Sequence, residues 1–104
     1  MVPVIWTHAA TEDVAEIHEF ISRDSRKYAS QTIDRIHASA NSLRRFPERG
    51  ELLNELRHSN YRQIVSGAYR VIYRIGEDSR QVFVVAVIHS ARDLLRAMRD
   101  RPNS

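Results

Sequence analysis

The stretch YRVIYRI, residues 69–75, alternates between two kinds of side chain with a period of two, which predicts a β-strand. One face of this strand carries aromatic and aliphatic side chains: Tyr69, Val71, Tyr73 and Ile75. The other face carries two arginines around an isoleucine: Arg70, Ile72 and Arg74. The first face needs a layer of structure to cover it. The arginines either meet solvent or point at an anionic partner.

Two further strands flank this one. YRQIV (61–65) precedes it across a Ser-Gly turn signal, and QVFVVAVIH (81–89) follows it across the turn residues GEDS (76–79). Three strands joined by short turns form an antiparallel meander. Because residues 82–88 are apolar at every position, we expect the last strand to be central and buried on both faces.

Upstream of the meander, apolar residues recur with the helical period. PVIWT (3–7) predicts a first strand, after which Thr7 or Thr11 can cap a helix. A second helix begins after Asp24 or Ser25 and ends before Pro47. Its core stripe is predicted to comprise Ala29, Ile33, Ile36, Ala40, Leu43 and Phe46.

The predicted order of elements is β-α-α-β-β-β, with a short terminal helix in RDLLRAM (92–98). We therefore expect an α+β fold in which an N-terminal helical hairpin packs on a small, mainly antiparallel sheet. The length of 104 residues favours a single domain over 1–104. Neither a membrane span nor a signal peptide is predicted, and a cytoplasmic protein is expected.

Charge is unevenly distributed along the chain. Residues 1–56 carry seven Lys/Arg and nine Asp/Glu, whereas residues 57–104 carry nine arginines and four acids. Guanidinium groups match phosphate and carboxylate geometry, so the second part favours an acidic partner, either nucleic acid or protein, or is simply a solvated surface. The absence of cysteine excludes disulfides and thiolate metal sites, and the histidines lack metal-ligand spacing. We expect no metal and no other cofactor.

Four segments, in this order, resemble the RelE/ParE superfamily of bacterial toxins from type II toxin–antitoxin systems. They are the stretch from Trp6 to Ile21, SLRRFPERG (42–50), YRVIYRI (69–75) and VVAVIHSARD (84–93). The resemblance implies a growth-inhibiting, plasmid-stabilising toxin that is neutralised by a cognate antitoxin protein. RelE-like members cut messenger RNA on the ribosome, whereas ParE-like members inhibit DNA gyrase.

The residues permit either activity. RNA cleavage needs a base, an acid and cations around the phosphate. Glu48, Glu51 or Glu55 is a candidate base and His89 a candidate acid. The candidate phosphate-binding cations are Arg62, Arg70, Arg74 and Arg92.

Three features favour the ParE-like branch. RelE itself uses lysines before the meander, but this chain has none after Lys27. No aromatic residue or histidine follows His89, so a base-stacking residue near the C-terminus is missing. The segment HSARD (89–93) also resembles the ParE-like ending. We therefore favour a gyrase inhibitor without catalysis of its own and keep the ribosome-dependent endoribonuclease as the alternative.

Two binding surfaces follow from this interpretation. The predicted target-binding residues are His89, Arg92, Arg96 and Arg99. The predicted antitoxin-binding residues share the open face of the sheet: Arg62, Ile64, Arg70, Ile72 and Arg74. His89 is alternatively a hydrogen-bonded structural residue, and the whole protein is alternatively a non-toxic module that binds nucleic acid or protein.

Overall fold

The computed structural model describes residues 1–53 and 60–99. Its elements are β1 (Val4–Trp6), α1 (His8–Ser22), α2 (Arg26–Asn41), β2 (Glu51–Leu52), β3 (Tyr61–Ser66), β4 (Tyr69–Ile75), β5 (Val82–His89) and α3 (Leu94–Arg99). This order confirms the predicted α+β fold and adds the two-residue strand β2.

The two long helices begin at side-chain caps. Thr7 Oγ1 accepts a hydrogen bond from the Ala10 N–H at 3.2 Å, and Ser25 Oγ accepts one from the Tyr28 N–H at 3.0 Å. Both caps satisfy backbone donors that the first helical turn leaves without partners. The predicted start of the second helix after Asp24 or Ser25 is thereby confirmed, with Ser25 as the cap, and Thr7 is the cap of the first helix.

The end of α2 differs from the prediction. The α-helix stops at Asn41, and a turn of 3₁₀ helix over Ser42–Arg44 follows it. Leu43 is fully buried and closes the core stripe, but Phe46 is 58% exposed and lies outside it. The tighter turn redirects the chain before Pro47, so the helical period fails for its last predicted member.

Within residues 1–53 and 60–99, five strands form one sheet in the order β1-β5-β4-β3-β2. The β1–β5 pair is parallel, and the other pairs are antiparallel. β5 lies between β1 and β4, and six of its eight residues are buried, which confirms the predicted central strand. No helix in this part of the chain is long and apolar enough to cross a membrane.

Apolar layers cover both faces of the sheet. On the first face, α1 and α2 pack over a core that includes Val71, Tyr73 and Val84. The second face forms another core, in which Leu53 and α3 pack against Ile72. Ile72 has no exposed surface. The prediction that Ile72 lies on an open face is therefore wrong, because the short terminal helix covers this face.

The register of β3 corrects a second prediction. Arg62 lies opposite Tyr73, and Ile64 lies opposite Val71. Directly paired residues of an antiparallel sheet share a face, so Arg62 and Ile64 lie on the hairpin side rather than beside Arg70. Ile64 is only 7% exposed there. Burial of this isoleucine against the helices explains the register, since a shift by one residue would expose it.

Candidate functional site

His89 is the last residue of β5 and is exposed where the strand ends. Its ring meets the ring of its cross-strand partner Tyr69 edge to face, with centroids 5.5 Å apart at an angle of 83°. The Ala91 N–H donates a hydrogen bond to His89 Nδ1 at 3.1 Å. Burial raises the pKa of the Tyr69 phenol, so Tyr69 meets this imidazole as a neutral ring.

A groove of about 450 Å³ separates α1 from the end of β5. Its lining residues are Asp13, Glu16, Ile17, Phe20, Tyr69, Val87, Ile88, His89 and Arg92. Asp13 Oδ2 accepts a hydrogen bond from the Val87 N–H at 2.9 Å and so joins α1 to β5. The groove thus combines two carboxylates, one arginine and one histidine with an apolar floor.

Sequence reasoning missed the acidic wall of this groove. The sequence indicates Asp13 and Glu16 as acids near the start of a helix, where the dipole would favour them, but neither lies in the first turn of α1. Val87 lies 74 residues from Asp13, so no spacing in the sequence indicates their contact. Phe20 is 66% exposed at the same groove.

The candidate acid and the candidate phosphate-binding arginines do not converge on one site. His89 and Arg92 line one groove on the hairpin side of the sheet. Arg70 lies on the opposite face and donates from Nε to Gln63 Oε1 at 2.6 Å. Arg74 is four residues further along β4, roughly 13 Å away, and its guanidinium lies 4.3 Å from the centroid of the Phe83 ring.

Arg62 supports the segment that precedes β2. Its Nη1 donates to the Gly50 carbonyl at 2.7 Å and to the Glu48 carbonyl at 3.2 Å. Tyr73 contacts the same segment: its hydroxyl donates to the Pro47 carbonyl at 2.7 Å and accepts from the Gly50 N–H at 2.9 Å. The guanidinium of Arg62 is thus engaged by backbone carbonyls in this structure.

The two candidate bases within the described residues, Glu48 and Glu51, do not lie in the groove with His89 either. Glu48 is exposed in the segment before β2, and Glu51 Oε1 accepts from Gln63 Nε2 on the far side of the sheet. Glu55 lies outside the described residues. Over residues 1–53 and 60–99, no three His, Cys, Asp or Glu side chains come together in a way that could hold a metal ion.

The predicted target-binding arginines are all exposed. Arg92 precedes α3, and Arg96 and Arg99 lie on the solvent side of that helix. Asp93 caps α3, since its Oδ1 accepts from the Arg96 N–H at 3.3 Å. The buried side of the helix places Leu94 on the second core. The helix therefore presents a cationic outer surface.

A helical hairpin on one face of a mainly antiparallel sheet, with a short helix on the other, defines the RelE/ParE-like class of small toxins. The comparisons agree. The family model for the ParE toxin of the type II toxin-antitoxin system, parDE, matches residues 4–94. Toxin RelE2 of Caulobacter vibrioides is 31% identical over 96 residues, which cover 88% of this chain and 99% of that protein. The chain belongs to the ParE toxin family of type II toxin–antitoxin systems, within the RelE/ParE superfamily.

Solved structures share the fold. The chromosomal ParDE system from P. aeruginosa aligns with a TM-score of 0.70 at 13% identity, over 86% of this chain and 96% of that one. The RelBE2 toxin–antitoxin complex from Mycobacterium tuberculosis aligns with a TM-score of 0.63 at 23% identity, over 85% and 96%. A double mutant of E. coli RelE in the free state aligns with a TM-score of 0.64 at 14% identity, over 92% of this chain and 90% of that one. At these identities the likeness concerns the fold alone.

Proposed function

We propose that this toxin arrests growth by inhibiting DNA gyrase, and that a cognate antitoxin neutralises it. One observation carries the choice of target: the only candidate cation that shares a groove with His89 is Arg92, and the opposite wall carries Asp13 and Glu16. A nuclease needs several cations around the scissile phosphate to stabilise the charge of the transition state. The carboxylates of Asp13 and Glu16, opposite the candidate acid His89, would instead repel a phosphate.

A protein target suits the same surface. Arg92 is exposed in the groove that it shares with His89, and Arg96 and Arg99 are exposed on α3. Exposed cations of this kind direct association with an acidic protein surface and set its rate. The mixed charge and apolar floor of the adjacent groove are typical of protein recognition, in which polar groups surround apolar contacts.

A supercoiling assay tests the target. The purified toxin is expected to inhibit gyrase, and Arg92→Ala combined with Arg96→Ala is expected to weaken that inhibition by lowering the positive charge of the surface. Both side chains are exposed, so the free energy of unfolding should change by no more than about 0.5 kcal/mol for each substitution. Arg26→Ala, at an exposed arginine of α2, is the matched control and should inhibit like the wild type.

The alternative activity has a distinct outcome. Messenger RNA cut in the ribosomal A site, with gyrase unaffected, would contradict gyrase inhibition and favour the RelE-like endoribonuclease. In that case His89→Gln should abolish cleavage, because the glutamine cannot transfer a proton near neutral pH.

For the antitoxin, we propose a segment that carries acidic side chains across Arg70 and Arg74. Support comes from the register: β4 places both arginines on the α3 side of the sheet, where each is partly exposed. Of the predicted isoleucines, Ile64 is buried on the hairpin side and Ile72 is buried on this side, so the accessible part of this surface is the polar one. Carboxylates bind guanidinium groups through short, charge-assisted hydrogen bonds.

Charge reversal tests the antitoxin surface. Arg70→Glu with Arg74→Glu is expected to weaken the toxin–antitoxin complex and to make the remaining affinity less dependent on salt. Arg80→Glu, in the exposed turn between β4 and β5, is the control for a single charge reversal elsewhere on the surface and should bind the antitoxin like the wild type. If the double variant keeps its melting temperature and binds with unchanged affinity, the antitoxin docks on another surface.

A further inference from the structure

We infer that Tyr69 is a positioning residue for His89, and that Tyr69 and the Ala91 N–H together present the Nε2–H of His89 to a carbonyl oxygen of a protein target. The inference rests on the proposed inhibition of a protein and adds the chemical group that the toxin recognises.

The contact with Ala91 fixes which imidazole nitrogen carries the proton. A backbone N–H can only donate, so Nδ1, at 3.1 Å from it, must be the unprotonated acceptor. In the neutral imidazole the proton then resides on Nε2. His89 therefore offers a hydrogen-bond donor, rather than an acceptor, on the side away from Ala91.

The direction of that donor is fixed by two further sets of contacts. The edge-to-face contact with Tyr69 restrains rotation of the ring, as aromatic cross-strand pairs do. The turn after β5 is closed by hydrogen bonds from the Ser90 N–H to the Ala68 carbonyl at 2.8 Å and from the Arg92 N–H to the His89 carbonyl at 2.9 Å. This closed turn holds the Ala91 N–H in place against the ring.

The charges around the imidazole define what it can bind. Asp13 and Glu16 line the wall opposite His89, and Arg92 is the one arginine in the lining. A phosphate or a carboxylate entering the groove would meet two like charges, whereas a neutral oxygen avoids that repulsion. A backbone or amide carbonyl fits these conditions, and the exposed Phe20 can cover an apolar part of the same partner.

The experiment measures protonation and toxicity on the same variants. NMR of the intact toxin with isotope-labelled histidine reports the tautomer of each neutral imidazole, and the spectrum of His89→Gln identifies His89 among the five histidines. Tyr69→Leu removes the aromatic ring, and Tyr69→Phe retains it. Ala91→Pro removes the N–H donor, and Ala91→Gly retains it.

The wild type, Tyr69→Phe and Ala91→Gly are expected to show the Nε2–H tautomer of His89. Tyr69→Leu and Ala91→Pro are expected to show a mixture. Growth inhibition and gyrase inhibition should fall about three- to tenfold in these two variants and in His89→Gln, which corresponds to the loss of one hydrogen bond. Melting temperatures confirm that each variant is folded, and either disruptive variant alone suffices for the test.

Two results would overturn the inference: an Nδ1–H tautomer in the wild type, or full toxicity in folded variants whose His89 tautomer is mixed. Failure of the proposed function gives a different pattern. A toxin that cuts messenger RNA and leaves gyrase intact contradicts gyrase inhibition, while the tautomer and the dependence of growth inhibition on Tyr69 still test the positioning of His89.

Discussion

The hydroxyl of Tyr73 joins β4 to a segment more than 20 residues earlier in the chain. It donates to the Pro47 carbonyl and accepts from the Gly50 N–H, and the residue has no exposed surface. Gly50 is required for this approach, since a Cβ atom there would lie 2.5 Å from the Tyr73 oxygen and 2.6 Å from the Gln63 carbonyl oxygen. A buried polar group with both partners present stabilises the fold, and the same group costs free energy once a partner is removed.

Tyr73→Phe is expected to lower the free energy of unfolding by about 1–3 kcal/mol, because it leaves the Pro47 carbonyl and the Gly50 N–H without their partner. Urea denaturation measures the change. Tyr28→Phe is the control, since Tyr28 is 54% exposed and its hydroxyl can be solvated. Equal stability of the Tyr73 variant and the wild type would show that the hydroxyl contributes nothing.

The same variant has a predicted pH dependence. Burial raises the pKa of Tyr73 above its ordinary value of 10.0, although the Gly50 N–H and the nearby Arg62 oppose the rise. A pKa raised by folding means that the unfolded chain releases its proton first, so the stabilisation is complete below pH 10 and is lost as the pH rises further. The urea midpoint should therefore fall less steeply between pH 9 and 11 in Tyr73→Phe than in the wild type.

At the scale of secondary structure, a single carboxylate fastens α1 to the central strand. β1 pairs with β5 only as far as Val84, and beyond that residue Asp13 takes the place of a neighbouring strand by accepting the Val87 N–H. An unpaired strand edge invites pairing with other chains, and a carboxylate from a covering helix blocks it. α1 thus completes both the hydrogen bonding and the burial of β5.

Asp13→Ala is expected to destabilise the protein by about 1–3 kcal/mol through loss of this charge-assisted bond. Asp13→Asn keeps an acceptor oxygen and should recover part of the loss. Glu16→Ala is the control on the same wall of the groove, because Glu16 is exposed. Thermal unfolding compares the three variants, and an equal loss in Asp13→Ala and Glu16→Ala would argue against a specific role for the Val87 contact.

At the scale of the whole molecule, the sheet separates two apolar cores, and residues of the proposed function lie on both sides of it. The hairpin side holds the main core and the groove with His89, whereas the α3 side holds the smaller core around Ile72 and the partly exposed arginines of β4. The proposed target surface therefore reaches both sides, since His89 and Arg92 line the groove on the hairpin side and Arg96 and Arg99 lie on α3. β4 contributes to both through its alternating side chains.

Ile72→Ala tests whether the second core is as tightly packed as its burial indicates. The expected loss is about 2–5 kcal/mol, since a fully buried isoleucine leaves a cavity when it is truncated. Val65→Ala, at a strand residue that is 60% exposed, should change stability by no more than about 0.5 kcal/mol. Chemical denaturation measures both. A small loss at Ile72 would indicate that α3 covers the sheet only loosely.

The amino-acid sequence alone determined the order of the longer elements, two candidate caps for each of the two long helices, and the face of β4 that meets the hairpin. These features depend on local spacing: alternation in YRVIYRI, the helical period around Ile36, and the serine and threonine before each helix. The unbroken apolar run of β5 also identified the central strand correctly. Each signal lies within a few residues, where periodicity and backbone chemistry act directly.

Only the tertiary structure decided the register of β3, the cover over Ile72 and the contact of Asp13 with Val87. Each joins side chains or backbone groups that are distant in the chain. Arg62 and Arg70 look equivalent in the sequence, yet one binds backbone carbonyls on the hairpin side and the other bonds to Gln63 on the opposite face. The reason is physical: the face of a strand residue depends on which partner it lies opposite, and that register is set by the apolar surface that the assembled cores can bury.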